Sequence, residues 1–90
     1  MSHKVTLTWT ASTDAIDGYN LYRGTAAGQE STLLNSSLVT ALTFVDASPL
    51  LGHTFYVAKA VSNGVESLAS NEVTAVLLPS APTNLTITIS

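Results

Sequence analysis

Val5, Leu7 and Trp9 alternate with Thr6, Thr8 and Thr10, one apolar side chain for each hydroxyl. A period of two belongs to a strand with one buried and one wet face, and a helix cannot gather these residues on one side. The signature recurs. Gly18 to Arg23 reads as a second strand, with Tyr19 and Leu21 on one face and Tyr22 on the other. Ser31 to Leu34 reads as a short edge strand, and Ala41 to Val45 as a fourth strand with Leu42 and Phe44 inward. Thr54 to Val61 is a long fifth strand, with Tyr56, Ala58 and Ala60 on one face and Phe55, Val57, Lys59 and Val61 on the other. Glu72 to Leu78 is a sixth. Turn residues separate the strands: Ser12 to Asp17, Gly24 to Gly28, Ser48-Pro49, and Ser62-Asn63-Gly64, a strong hairpin signal. No segment keeps a helical period. The expectation is an all-β sandwich of two antiparallel sheets.

Composition narrows the function. Ninety residues make one small domain. With no cysteine, the core must hold the fold without disulfides or a thiolate metal site. The net charge is −3, and Lys4, Arg23 and Lys59 are the only lysine or arginine residues. Nucleic acid and anionic membrane surfaces both call for a basic stripe, so neither is an expected partner. No apolar run approaches the roughly 20 residues that span a bilayer. Met1-Ser2-His3 is too short and polar for a signal peptide. Charged residues are 10% of the chain, against about 25% in typical domains. A surface carried by Ser and Thr repels neighbours less, so sheet-edge contacts cost less here.

The run Val5-Thr6-Leu7-Thr8-Trp9, then Gly18-Tyr19-Asn20-Leu21-Tyr22-Arg23-Gly24, Tyr56 to Val61, Glu66-Ser67 and Ser70-Asn71-Glu72-Val73 resembles a fibronectin type III domain of bacterial secreted and surface proteins. The resemblance covers roughly residues 4–78. It implies an immunoglobulin-like sandwich with sheets A-B-E and C′-C-F-G, and Trp9 as the core tryptophan. Residues 4–10 would be strand B, 18–23 C, 31–34 C′, 41–45 E, 54–61 F and 72–78 G. The sequence departs from that pattern twice. No strand A precedes Val5, and Thr54, with Phe55 beside it, stands where a corner tyrosine usually opens strand F. The resemblance also implies a secreted or cell-surface location within a larger protein.

The end of the chain reads as a beginning. Pro79-Ser80-Ala81-Pro82-Thr83-Asn84-Leu85-Thr86-Ile87 is similar to the strand A that opens the next repeat in tandem arrays of this family. Leu85, Ile87 and Ile89 alternate with Asn84, Thr86, Thr88 and Ser90. The expected organisation is a domain over 1–78, a linker over 79–82 and a strand-like tail over 83–90. With no strand A, the acceptor edge carrying Val5, Leu7 and Trp9 has only Lys4 to discourage pairing. In the family topology the tail leaves at the pole where strand A ends. Strand A spans roughly 25–30 Å, and the residues from Pro79 to Pro82 reach at most about 14 Å. The tail is therefore expected to serve a second copy, giving a head-to-tail oligomer or filament that depends on concentration. Two alternatives stay open: a monomeric spacer with a disordered or linker-like tail, and a tail docked on its own domain.

A different class of function is ligand binding on the outer C′-C-F-G face. Tyr22 and Phe55 would be the platform for a polysaccharide or a neighbouring domain, with Val57 and Val61 extending it. Cross-strand packing alone would use the same residues. Catalysis finds no support: there is no Gly-x-Ser-x-Gly, no phosphate loop and no cleft for paired carboxylates. His3 and His53 lack metal-ligand spacing. Asp14, Asp17 and Asp46 show no calcium-loop pattern and read as turn caps. Arg23-Gly24-Thr25 is not an integrin-type Arg-Gly-Asp. Asn35-Ser36-Ser37 and Asn84-Leu85-Thr86 match a glycosylation sequon at a level expected by chance in a Ser/Thr-rich chain. No enzyme activity, cofactor or metal is expected.

Overall fold

The computed structural model describes residues 3–90. Strand β1 (Val5–Thr8) pairs antiparallel with β4 (Thr43–Asp46), Leu7 opposite Phe44, and these form the smaller sheet. The larger sheet runs β3 (Thr32–Leu33), β2 (Gly18–Gly24), β5 (Gly52–Ser62), and then both β6 (Val65–Glu66) and β7 (Val73–Leu77) along the far edge of β5. In the family's lettering these are B-E and C′-C-F-G. The expected all-β sandwich is the fold observed, and the described residues contain no helix.

Leu7, Tyr19, Leu21 and Tyr56 form the buried centre, with Trp9, Phe44, Ala58, Ala60 and Ala75 packed around them. Trp9 meets Tyr19 edge-on, with ring centroids 5.4 Å apart at 65°, the arrangement that ring quadrupoles favour. Near one end, polar contacts tie the sheets together. Asp46 on β4 accepts from Arg23 Nη1 of β2 at 2.9 Å and from the Tyr56 hydroxyl of β5 at 2.8 Å. Burial, and then the neighbouring Asp46 carboxylate, push the Tyr56 phenol well above its ordinary range. Thr54, at the position of the missing corner tyrosine, is fully buried and donates its hydroxyl to the Leu50 carbonyl at 3.4 Å. A smaller side chain thus supplies a corner bond.

The gap between β6 and β7 has a local cause. Ser67 and Ser70 each clasp one residue of β5. The Ala60 carbonyl accepts from Ser67 N and the Ala58 carbonyl from Ser70 N, both at 2.8 Å. Ala60 N and Ala58 N in turn donate to the Ser67 and Ser70 hydroxyls at 2.9 Å. The hydroxyls stand in for strand carbonyls, so the chain bulges without orphaning the backbone of β5.

Three expectations need correction. Leu42 is not inward: it is 43% exposed, and it contributes its carbonyl, which accepts from Trp9 N at 3.1 Å. Val57 and Val61 do not extend an exposed apolar surface, since both are buried. The short strand β6 was not among the expected strands. Residues 79–90, whose strand is expected on a second copy, carry no strand within the molecule itself. Asn35 is buried, and its amide group bonds Leu21 N, Asn20 Oδ1 and the Ser37 carbonyl. Its sequon side chain is occupied by the fold.

Candidate functional site

Strand β1 has one partner, and its other edge is unpaired among the described residues. The bond from Trp9 N to Leu42 fixes the phase of the ladder. Residues Val5, Leu7 and Trp9 turn their backbone groups toward β4, and Thr6 and Thr8 turn theirs outward. The N–H and C=O of Thr6 and Thr8 are the free ladder groups that an added strand would meet.

Beside this edge the sandwich is open. A groove of about 390 Å³ runs between β1 and the β5–β7 side, lined by Leu7, Trp9, Leu21, Tyr56, Ala58 and Val73 among others. A second hollow continues it along Trp9, Ala60 and Ser67 to Leu68. The groove's lining is mixed: Thr8, Thr10, Ser70 and Asn71 stand beside Val73, which is 43% exposed, and Leu68 farther along is 93% exposed. The Trp9 indole N–H is buried with no acceptor. Val5, Leu7 and Trp9 therefore share one edge, with Leu7 buried, and Val5 and Trp9 half-buried against the core.

The donor residues lie elsewhere. Leu85, Ile87 and Ile89 are 94%, 84% and 86% exposed. They do not touch the groove of their own molecule. The molecule extends 72 Å along its long axis and only 23 and 20 Å across it, so the tail continues the length of the sandwich. Asn84 sits at φ 58°, a left-handed position that asparagine tolerates. It bends the chain at the start of the alternating stretch.

On the outer face, Tyr22 lies opposite Val57 and Phe55 opposite Gly24, so the two rings are diagonal neighbours. Tyr22 is already engaged. Its hydroxyl bonds the Glu66 carboxylate, and Lys59 Nζ stands 5.0 Å from its ring centre. That bond raises the Tyr22 phenol above its ordinary value. Glu66 is lowered by Tyr22 first, then by Asn20 and Lys59. The loop after β2 covers more of this face. A side chain at Gly24 would collide with the Gln29 carbonyl, and Gly28 N donates to Glu72 across β5 at 2.8 Å. Glu30 and Glu72 meet at the same place; their contact raises Glu30 and lowers Glu72. The carboxylates do not converge: Asp17 accepts from Asn63 N at one end of the sandwich, while Asp46 holds Arg23 at the other. No group of three or more metal-ligating side chains occurs among the described residues.

Among solved structures, the chain is similar to a Fn3-like protein from Clostridium thermocellum. The TM-score is 0.71 at 32% identity, over 88% of this chain and 80% of that one. No protein-family model matches the chain, and no curated protein does.

Proposed function

The chain belongs to the fibronectin type III-like family, and from that premise we propose a non-catalytic interaction module that links to further copies of itself by strand addition. Residues 83–90 of one copy run antiparallel along the open edge of β1 in the next, with Leu85, Ile87 and Ile89 seated in the groove. The observation that carries this reading is a groove beside a free strand edge, together with an exposed tail whose apolar residues alternate as a strand's would. The tail extends along the domain axis, which suits a neighbour placed end to end.

The opposing contributions are of similar size, so the proposed contact should be weak and reversible. Burying three such side chains contributes a gross gain of roughly 5–9 kcal/mol. Ordering the backbone costs about 1–2 kcal/mol per residue, and association costs several more. Ladder bonds to Thr6 and Thr8 offset part of that. Assembly therefore depends on concentration, and a head-to-tail contact propagates into open chains unless it closes a ring. The module belongs in a secreted or surface protein, where such links space other domains. A polysaccharide platform at Tyr22 and Phe55 is the weaker reading, because Lys59 and Glu66 already occupy Tyr22. The test is mass by light scattering across concentration, for the full chain and for the chain without residues 79–90. Growth of mass with concentration that vanishes on deletion supports strand addition. A full chain that stays monomeric at millimolar concentration overturns it.

A further inference from the structure

We propose that the two poles of the sandwich are complementary, and that the tail pole of one copy seats on the hairpin pole of the next. This rests on the strand-addition reading, and it adds a second contact to the donated strand. The tail pole gathers the start of β1, the turn after β4 and the end of β7, since Val5 lies opposite Asp46 and Gly52 opposite Leu77. There Leu50 is 40% exposed, Leu51 57% and Leu78 70%. Leu51 lines a cleft with His3, Pro49 and Pro79. These leucines lie beside the point where the tail departs.

The hairpin pole lies at the other end, where Gly18 faces Val61. Its hollow is lined by Ile16, Ala60 and Val65, with Val65 70% exposed. If residues 83–90 enter the groove of a neighbour from its hairpin pole, the linker from Pro79 to Pro82 sets the spacing. It spans at most about 14 Å, so the leucines of the donor must lie against the hairpin pole of the acceptor. Charge agrees with this placement. Lys4 is exposed at the tail pole and Asp14 at the hairpin pole, and neither takes part in an ion pair among the described residues. Arg23, the other strong cation near the tail pole, is committed to Asp46. The hairpin pole also carries Asp17, exposed apart from its bond to Asn63 N. A weakly basic, leucine-rich end thus meets an acidic end with an apolar hollow.

Sedimentation equilibrium on full-length variants tests this. Leu50→Ser with Leu51→Ser should weaken association about tenfold; Leu50 is 40% and Leu51 57% exposed, and circular dichroism checks that the fold is kept. Lys4→Glu and Asp14→Lys should each weaken it about two- to fivefold at low salt, and combining them should restore it. Ile87→Asp forms a separate arm that reads the strand contact alone. If the wild type assembles, Ile87→Asp dissolves the assembly and the pole variants match wild type, the pole contact is wrong and strand addition stands. If the wild type does not assemble at millimolar concentration, both are wrong.

Discussion

Replacing Ile87 by Asp places a carboxylate at the centre of the proposed donor strand. In the free chain Ile87 is 84% exposed and residues 79–90 pair with nothing, so the domain itself should be unaffected. In the linked form the side chain would lie in the groove over Leu7, Tyr56 and Ala58. Losing its burial removes about 1.5–3 kcal/mol, and desolvating a carboxylate without a partner costs several kcal/mol more. The apolar loss alone is roughly a tenfold or greater drop in the association constant, and the sum exceeds about a thousandfold. Thr88→Asp is the matched control, because Thr88 alternates onto the wet face and should change association little. Circular dichroism checks the fold of both variants, and sedimentation from micromolar to millimolar concentration reads their mass. Equal association by Ile87→Asp and wild type would refute the reasoning, as would equal losses in the two variants.

Other contacts make separate predictions. Asp46→Ala leaves the half-buried Arg23 and the Tyr56 hydroxyl without their acceptor, so urea unfolding should show a loss of about 3–5 kcal/mol. Ser70→Ala removes the acceptor for Ala58 N and should cost about 1–2 kcal/mol in the same assay, with faster amide exchange at Ala58. Glu66 has a lowered folded-state value. Its stabilisation is therefore present above the unfolded value and is lost as pH falls through the folded one. The Asn20 side-chain amide, which donates to Glu66 at 2.9 Å, should titrate by NMR with a midpoint below the ordinary glutamate value, and a midpoint at or above that value would contradict this.

The strands were legible wherever a face is simply buried or simply wet. Val5, Leu7 and Trp9, and likewise Tyr19 and Leu21, took the faces that alternation assigned them. Alternation failed where something other than burial decides the conformation. Leu42 lies just before β4, where its carbonyl and not its side chain is used. Val57, opposite Tyr22 on the neighbouring strand, is buried although its face reads as the outer one. No local pattern reports that burial. Ser67 and Ser70 were legible as part of a family-like motif, yet their double clasp on Ala58 and Ala60 depends on the register of β5. For the proposed site, alternation marks Leu85, Ile87 and Ile89 as a possible strand face and Val5, Leu7 and Trp9 as the core face of β1. The groove beside β1 arises only because β1 and β7 stand on facing sheets.

Contact between separate copies is the central claim, and an NMR experiment on a mixed sample reads it most directly. One population carries labelled amides and the other labelled Leu and Ile methyls, at a concentration where mass has risen. The account predicts intermolecular transfer from the methyls of Leu85, Ile87 and Ile89 to the β1 edge and Ala58, with slowed exchange at the Thr6 and Thr8 amides. Thr6 and Thr8 amides that exchange freely, with no intermolecular transfer, would contradict it.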